Sequence, residues 1–291
     1  MTTVGFIGLG IMGGPMAEHL IAAGHQVSGF SLGPGWAQRL TEAGGRAAAD
    51  VADAVADADV VITMLPNHPE VEAVVLGDKG VLAALAPGSL LIDMSTIRPE
   101  SAITIAEAGA ERGIRVLDAP VSGGEAGAKQ ATLSIMVGGT AEDFAAARPL
   151  LDTLGKTIAH VGPYGAGQVV KAANQLVVGG IYALVSEAIV LLEASGVDAK
   201  AGLDVLAGGL AASRILDLKR DSMLARQFQP GFRIDLHHKD MGIAIAAARS
   251  ADVALPVTGQ IAQLMAAARS MGFGSLDHSA LLKVIEALSG R

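Results

Sequence analysis

A chain of 291 residues exceeds the usual size of one compact core, and half of it is hydrophobic with few aromatics and many Gly and Ala, so two ordered domains are expected and disorder is not. The formal net charge of −8, a pI near 5.3 and the lack of any Lys or Arg block leave nothing resembling a footprint for nucleic acid or a membrane surface. Without cysteine there are no disulfides, thiol nucleophiles or thiolate metal sites, which suits a reducing compartment.

The first expected strand, Thr3 to Ile7, runs into Gly8-Leu9-Gly10-Ile11-Met12-Gly13, and Met12, Met16 and Leu20 then recur at helical spacing. Strand, glycine turn and helix in this order fit a dinucleotide pyrophosphate. The first Gly makes the tight turn, the second admits the phosphates, the third lets the helix lie close, and the helix N-terminus supplies N–H groups. Read by itself, a glycine motif is also compatible with a plain structural turn. Val4 to Ala17 is apolar but lacks the positive n-region and A-x-A-like site of a signal peptide, so the cytoplasm is the expected compartment.

A second strand, Gln26 to Phe30, ends on Ser31-Leu32-Gly33-Pro34-Gly35. In dinucleotide-binding folds this point carries an Asp or Glu for NAD or a nearby Arg for NADP. Ser31 offers neither, and the reading leans to NAD over NADP.

Further strands are expected at Val60 to Leu65, Leu90 to Met94, Arg115 to Asp118, Leu133 to Val137 and Ile158 to Val161, with Gly138-Gly139 as a turn. Their alternation with Ala-rich helical segments predicts a parallel sheet covered on both faces. Met64-Leu65-Pro66-Asn67 and Asp93-Met94-Ser95-Thr96 close two strands at the edge where such sheets bind ligands, although ordinary loop chemistry explains each equally well alone. Asp118-Ala119-Pro120-Val121-Ser122-Gly123-Gly124 reads as a Pro-bounded loop able to offer backbone N–H groups to a carboxylate, or as a structural turn.

After Gly162-Pro163 the pattern becomes helical, which divides the chain into residues 1–163 and 164–291: an α/β Rossmann-type domain, then an all-α domain opening on a long interdomain helix. That helix, Ala166 to Ser195, spans about 45 Å at 1.5 Å per residue. Gly196 stops it and Asp198 caps the next. Ser186 and Glu187 interrupt its most apolar stretch, Leu176 to Leu192, so it reads as a buried helix and not a membrane span. Lys171 and Asn174 share one face among Ala and Val, where desolvation favours a neutral amine and suits proton transfer. A solvated Lys beside an amide is the bland alternative. Lys239-Asp240, after His237-His238 on a helix start, reads first as a solvated pair. No H-E-x-x-H spacing points to a metal, and no G-x-S-x-G elbow points to a serine hydrolase.

Together these segments resemble the β-hydroxyacid dehydrogenase family over essentially the whole chain. The likeness rests on FIGLGIMGGPMAEHL from Phe6, DAPVSGG from Asp118, GAGQVVKAAN from Gly165, and Lys239-Asp240. Within the family, GGLAASRIL from Gly208, PGFRIDLHHKD from Pro230 and DHSAL from Asp277 are similar to tartronate semialdehyde reductases. The departure is at Ser31-Leu32, where many members carry Asp or Asn followed by Arg; it bears on nicotinamide preference.

The resemblance implies an NAD(P)H-dependent reduction of tartronate semialdehyde to D-glycerate. In it Lys171 is the general acid and Asn174 fixes the oxygen. Ser122, Gly123 and Gly124 hold the carboxylate, and Phe232 and Asp240 form the second domain's part of the site wall. Gly8, Leu9, Gly10, Ile11, Met12, Gly13, Ser31, Leu65, Pro66, Thr96 and Lys239 adjoin the cofactor. The alternatives are 3-hydroxyisobutyrate or another small β-hydroxyacid as substrate, or a dinucleotide-binding protein without turnover. Apolar helical surface in the second domain suggests a homodimer or homotetramer.

Overall fold

The structure is a computed structural model that describes all 291 residues. Its strands are β1 (Thr3–Ile7), β2 (Gln26–Phe30), β3 (Arg46–Ala47), β4 (Val60–Thr63), β5 (Leu90–Asp93), β6 (Arg115–Asp118), β7 (Val121–Ser122), β8 (Leu133–Gly138) and β9 (Gly155–Gly162). Strands β3-β2-β1-β4-β5-β6 pair in that order, all parallel. Beyond β6 the sheet changes direction: β8 is antiparallel to β6 and β7, and β9 runs parallel to β8. The strand signal therefore yields the expected parallel sheet over its larger part and a mixed edge beyond it.

The sheet is buried on both faces because its residues alternate between two cores. Val4, Phe6, Ile62, Ile92 and Leu117 join Met16 and Leu20 of the Gly13–Ala22 helix on one side. Ile7, Val61, Leu91 and Val116 join Val71, Val75, Ile105 and Ala106 on the other. Side chains one residue apart on a strand point to opposite faces, so each helical layer receives its own set.

Contacts divide the chain into two compact units, Met1–Lys171 and Ala172–Arg291. The division falls inside the long helix, Ala166–Ala194, whereas the sequence places it just ahead of that helix. The reason is local: the opening turn of the helix is bonded to the sheet. Asp118 at the end of β6 accepts from the backbone N–H of Gly165 at 2.8 Å and of Gln168 at 3.0 Å.

The second unit is built of helices, including Ala199–Ala207, Arg214–Leu224, Ile234–Ser250, Pro256–Ser270 and Leu281–Leu288. Its core gathers Leu203, Leu216, Met223, Ile234, Met241, Met265, Leu281 and Leu282. Gly196, at φ 71°, ends the long helix, and Asp198 caps the next by accepting from Lys200 and Ala201 N–H. By length and composition alone Ala166–Ala194 could cross a membrane. Gln168, Lys171, Gln175 and Ser186 are nonetheless buried along it.

Candidate functional site

In the first unit the site is assembled at the carboxyl ends of the parallel strands. The turn after β1 is set by Gly8, whose φ of 100° is open to glycine, and a side chain there would run into the Met64 carbonyl oxygen. A Cβ on Gly13 would fall on the Gly8 carbonyl oxygen and 2.8 Å from the Phe6 ring, so Gly13 is needed for the helix to approach the strand. Gly10 differs: nothing lies within 4 Å of where its Cβ would be. The protein's own packing accounts for Gly8 and Gly13 but not for Gly10, and a pyrophosphate approaching the backbone accounts for it. The residues present thus fit a dinucleotide.

Leu9 is buried and Ile11 exposed on this turn, while Met12 packs partly buried against the core. Ser31 follows β2 directly, and the Phe30 carbonyl accepts from Gly8 N–H at 2.9 Å, which ties the end of β2 to the glycine turn. Arg39, on the Trp36–Glu42 helix, donates to the Leu9 carbonyl at 3.2 Å. The sequence contains no motif that would have pointed to it. It is nonetheless a cation beside the turn.

The segments after β4 and β5 are tied together. Leu65 N–H donates to Ser95 Oγ at 2.8 Å, and the Thr63 hydroxyl donates to Asp93 at 2.7 Å. The Gln168 amide then brackets Thr96: it donates to the Ser95 carbonyl at 2.9 Å and accepts from Ile97 N–H at 3.0 Å. Pro66 and Thr96 thereby stand on the same sheet edge as the glycine turn, and Gln168, which no sequence motif marks, locks Thr96 to the long helix.

The segment from Asp118 to Gly124 is not the open loop expected from its Pro and Gly. Val121 and Ser122 pair with Ile135 and Ser134 as β7, and a short helix, Gly124–Lys129, follows at once. Glycine is required at the join, where Gly123 and Gly124 have φ of 137° and 60°. A Cβ on Gly124 would meet nothing within 4 Å. Asp118 itself is buried at the start. Desolvation pushes its carboxyl from the ordinary 3.8 up to about 6, despite the opposing N–H bonds from Gly165 and Gln168.

Gln168, Lys171 and Gln175 form a buried polar row along the first turns of the long helix. At 6% exposure Lys171 is not the solvated lysine of the bland alternative. In the second unit Asn174 Nδ2 donates to Gln175 Oε1 at 2.8 Å, and Gln175 Nε2 donates to Asp240 at 2.6 Å. Lys239 Nζ lies 3.0 Å from the other Asp240 oxygen. Lys239 and Asp240 occupy the second turn of the Ile234–Ser250 helix. With Asp240 1% exposed and Lys239 only partly buried, the solvated pair expected from their adjacency is corrected to one whose carboxylate is buried.

Phe232 is held by its backbone: Asp277 accepts from the N–H of Gly231 at 2.9 Å and of Phe232 at 3.2 Å. Its ring meets those of His278 and His237 edge-on at 5.3 and 5.9 Å. His237 and His278 bond to each other through Nδ1 at 3.0 Å. Burial would push the Asp277 carboxyl up, but His278, Ser279 and Lys219 outweigh it and hold it down at about 2.

Residues 3–162 match the family model described as the NAD binding domain of 6-phosphogluconate dehydrogenase. Residues 165–285 match that described as NAD-binding of NADP-dependent 3-hydroxyisobutyrate dehydrogenase. The 2-hydroxy-3-oxopropionate reductase of Escherichia coli (strain K12) is 41% identical over 98% of each chain. The chain belongs to the β-hydroxyacid dehydrogenase family. Other members are similar to it: the 3-hydroxyisobutyrate dehydrogenase of Pseudomonas aeruginosa is 42% identical over 88% of this chain and 89% of its own. The Mycobacterium tuberculosis 3-hydroxyisobutyrate dehydrogenase, solved with L-serine, superposes with a TM-score of 0.88 at 36% identity over 98% of this chain and 99% of its own. As a β-hydroxyacid dehydrogenase the chain is an NAD(P)-dependent oxidoreductase with a Rossmann-type N-terminal domain and a helical C-terminal domain.

Proposed function

We propose that this β-hydroxyacid dehydrogenase reduces tartronate semialdehyde (2-hydroxy-3-oxopropionate) to D-glycerate, with Lys171 as general acid. The observation that carries the reading is the buried amine of Lys171, on a helix whose opening turn is bonded to the same sheet edge as the glycine turn. The likeness at 41% identity to a 2-hydroxy-3-oxopropionate reductase, over nearly the full length of both chains, supports the choice of substrate.

In the first unit Gly8 to Gly13, Ser31, Leu65, Pro66 and Thr96 would hold the dinucleotide, which would supply the hydride, and Lys239 is the second unit's candidate for the cofactor. The chain's own part is to bind, orient and protonate. Ser122 and the backbone at Gly123 and Gly124 take the substrate carboxylate. Phe232 and Asp240 are the second unit's candidates for substrate contact. Lys171 gives its proton to the aldehyde oxygen as the carbon is reduced, which stabilises charge present only in the transition state. Asn174 holds that oxygen and the amine together. The reading extends to a homodimer or homotetramer in a cytoplasmic compartment, supported by an exposed apolar row on the long helix and by the lack of cysteine.

The test follows the absorbance of reduced nicotinamide with tartronate semialdehyde, using NADH and NADPH in turn. Turnover well above that with unrelated aldehydes is expected, and equal rates remove the assignment. 3-Hydroxyisobutyrate is the second reading, favoured by the 42% identity to a dehydrogenase of that name, and oxidation assays on the two hydroxy acids separate them.

A further inference from the structure

Side-chain amides can usually be turned either way, because their two ends differ little in shape. Here one end of a chain of amides is fixed by charge. Asp240 is a carboxylate beside Lys239 Nζ at 3.0 Å, and an ionised carboxylate only accepts hydrogen bonds. The Gln175 amide, 2.6 Å from Asp240, must therefore present its NH₂ to that side and its oxygen to the other. Asn174, 2.8 Å away, must in turn give its own NH₂ to the Gln175 oxygen. The Asn174 carbonyl oxygen is then committed outward as an acceptor. Gln175 and Asp240 are 4% and 1% exposed, so water does not readily stand in for either partner.

We propose that Gln175 is a positioning residue that transmits the polarity of Asp240 to Asn174 and so fixes the Asn174 carboxamide with its oxygen toward the reacting groups. The inference rests on the reading of Asn174 as a residue of the reaction. An acceptor at that position serves the two donors the chemistry brings there, the Lys171 ammonium and the hydroxyl of the alcohol product. A carboxamide turned the other way would repel both. The Gln175 backbone is held as well, since its carbonyl lies 3.0 Å from His237 Nε2.

The chain has two asparagines, Asn67 and Asn174, so asparagine-selective ¹⁵N labelling gives two side-chain amide signals and reads the relay without substrate. In the wild type the Asn174 NH₂ should be protected from exchange, and Gln175→Leu should abolish that protection. With whichever small hydroxy acid or semialdehyde the wild type turns over, Gln175→Leu should lower kcat about tenfold to a hundredfold while nucleotide Kd holds. Gln175→Glu can bridge Asp240 and Asn174 only while its carboxyl is protonated. It should keep turnover toward acid and lose it at a lower pH than the fall that deprotonation of Lys171 imposes on the wild type and on Gln175→Leu. The proposal is overturned if the Asn174 signal in Gln175→Leu matches the wild type, if kcat is unchanged, or if the Glu and Leu variants share one pH profile. A wild type that turns over no such substrate defeats the functional reading instead, and the amide spectrum still decides whether the relay exists.

Discussion

The carboxylate of Asp118 lies 2.8 Å from the backbone nitrogen of Gly165, so the last residue of β6 caps the helix that carries Lys171. The packing around this bond is close. A Cβ on Gly138 or Gly167 would strike Asp118, which leaves the carboxylate dry as well as bonded. Desolvation is the larger effect and raises its pKa from 3.8 to about 6. For an acid, a raised folded value means the native state holds its proton more tightly than the unfolded chain. Its contribution to stability is thus full below 3.8 and lost as pH rises through about 6, a loss of roughly 3 kcal/mol. Urea denaturation from pH 4 to 7 should show the wild type losing ground against Asp118→Asn over this window, and parallel curves would refute it.

Lys171→Ala removes the proton donor while leaving a good helix former in place. If the amine protonates the substrate oxygen, kcat should fall by about 10² to 10⁴. Nucleotide affinity, measured by fluorescence titration, should stay within a few-fold. A variant that loses cofactor binding and turnover together would assign Lys171 to the nucleotide instead.

How far the sequence alone reaches can be judged from particular residues. β1, β2 and β6 are readable to the residue because each is a short stretch of four or five residues with apolar side chains, set off by the Gly or polar residues around it. β3 and β7 are two residues each, too short for any period, so nothing in the sequence marks Arg46–Ala47 as a strand and Val121–Ser122 has the pattern of a loop. The spacing of Lys171 and Asn174 announced a shared helix face. Burial did not announce itself: Asp240 read as solvated and is 1% exposed. Nor could Gln168 be found, since the groups its amide bonds, Ser95 and Ile97, are more than seventy residues away in the chain. Local pattern carries elements and motifs, whereas satisfaction of a buried amide is decided by chain that returns from afar.

The glycine turn offers a paired test of what each glycine does. Gly13→Ala forces a Cβ onto the Gly8 carbonyl oxygen and should cost about 1–3 kcal/mol in thermal or urea unfolding. Gly10→Val has open space before it, so apo stability should change little. Its side chain would instead occupy the approach to the backbone and should weaken NAD or NADP binding at least tenfold, by the loss of about 1.4 kcal/mol. Normal nucleotide affinity in Gly10→Val would show that the dinucleotide does not use this turn.

Val170, Val177, Leu184 and Leu191 recur every seven residues along the long helix and are 37%, 55%, 66% and 67% exposed. A seven-residue recurrence keeps them nearly in line on one face, the arrangement expected of a seam that another helix covers. A leucine taken fully out of water contributes about 1.5–3 kcal/mol, so covering such a row in two copies can hold a dimer, and one carboxylate in it can break that dimer. Leu184→Glu and Leu191→Glu should therefore reduce the mass measured by sedimentation equilibrium to that of a single chain, with far-UV circular dichroism unchanged. Both side chains are already largely in water within one chain, so neither substitution should disturb its own core. A wild type that sediments as a single chain, or variants whose mass matches an oligomeric wild type, would remove this face from the assembly.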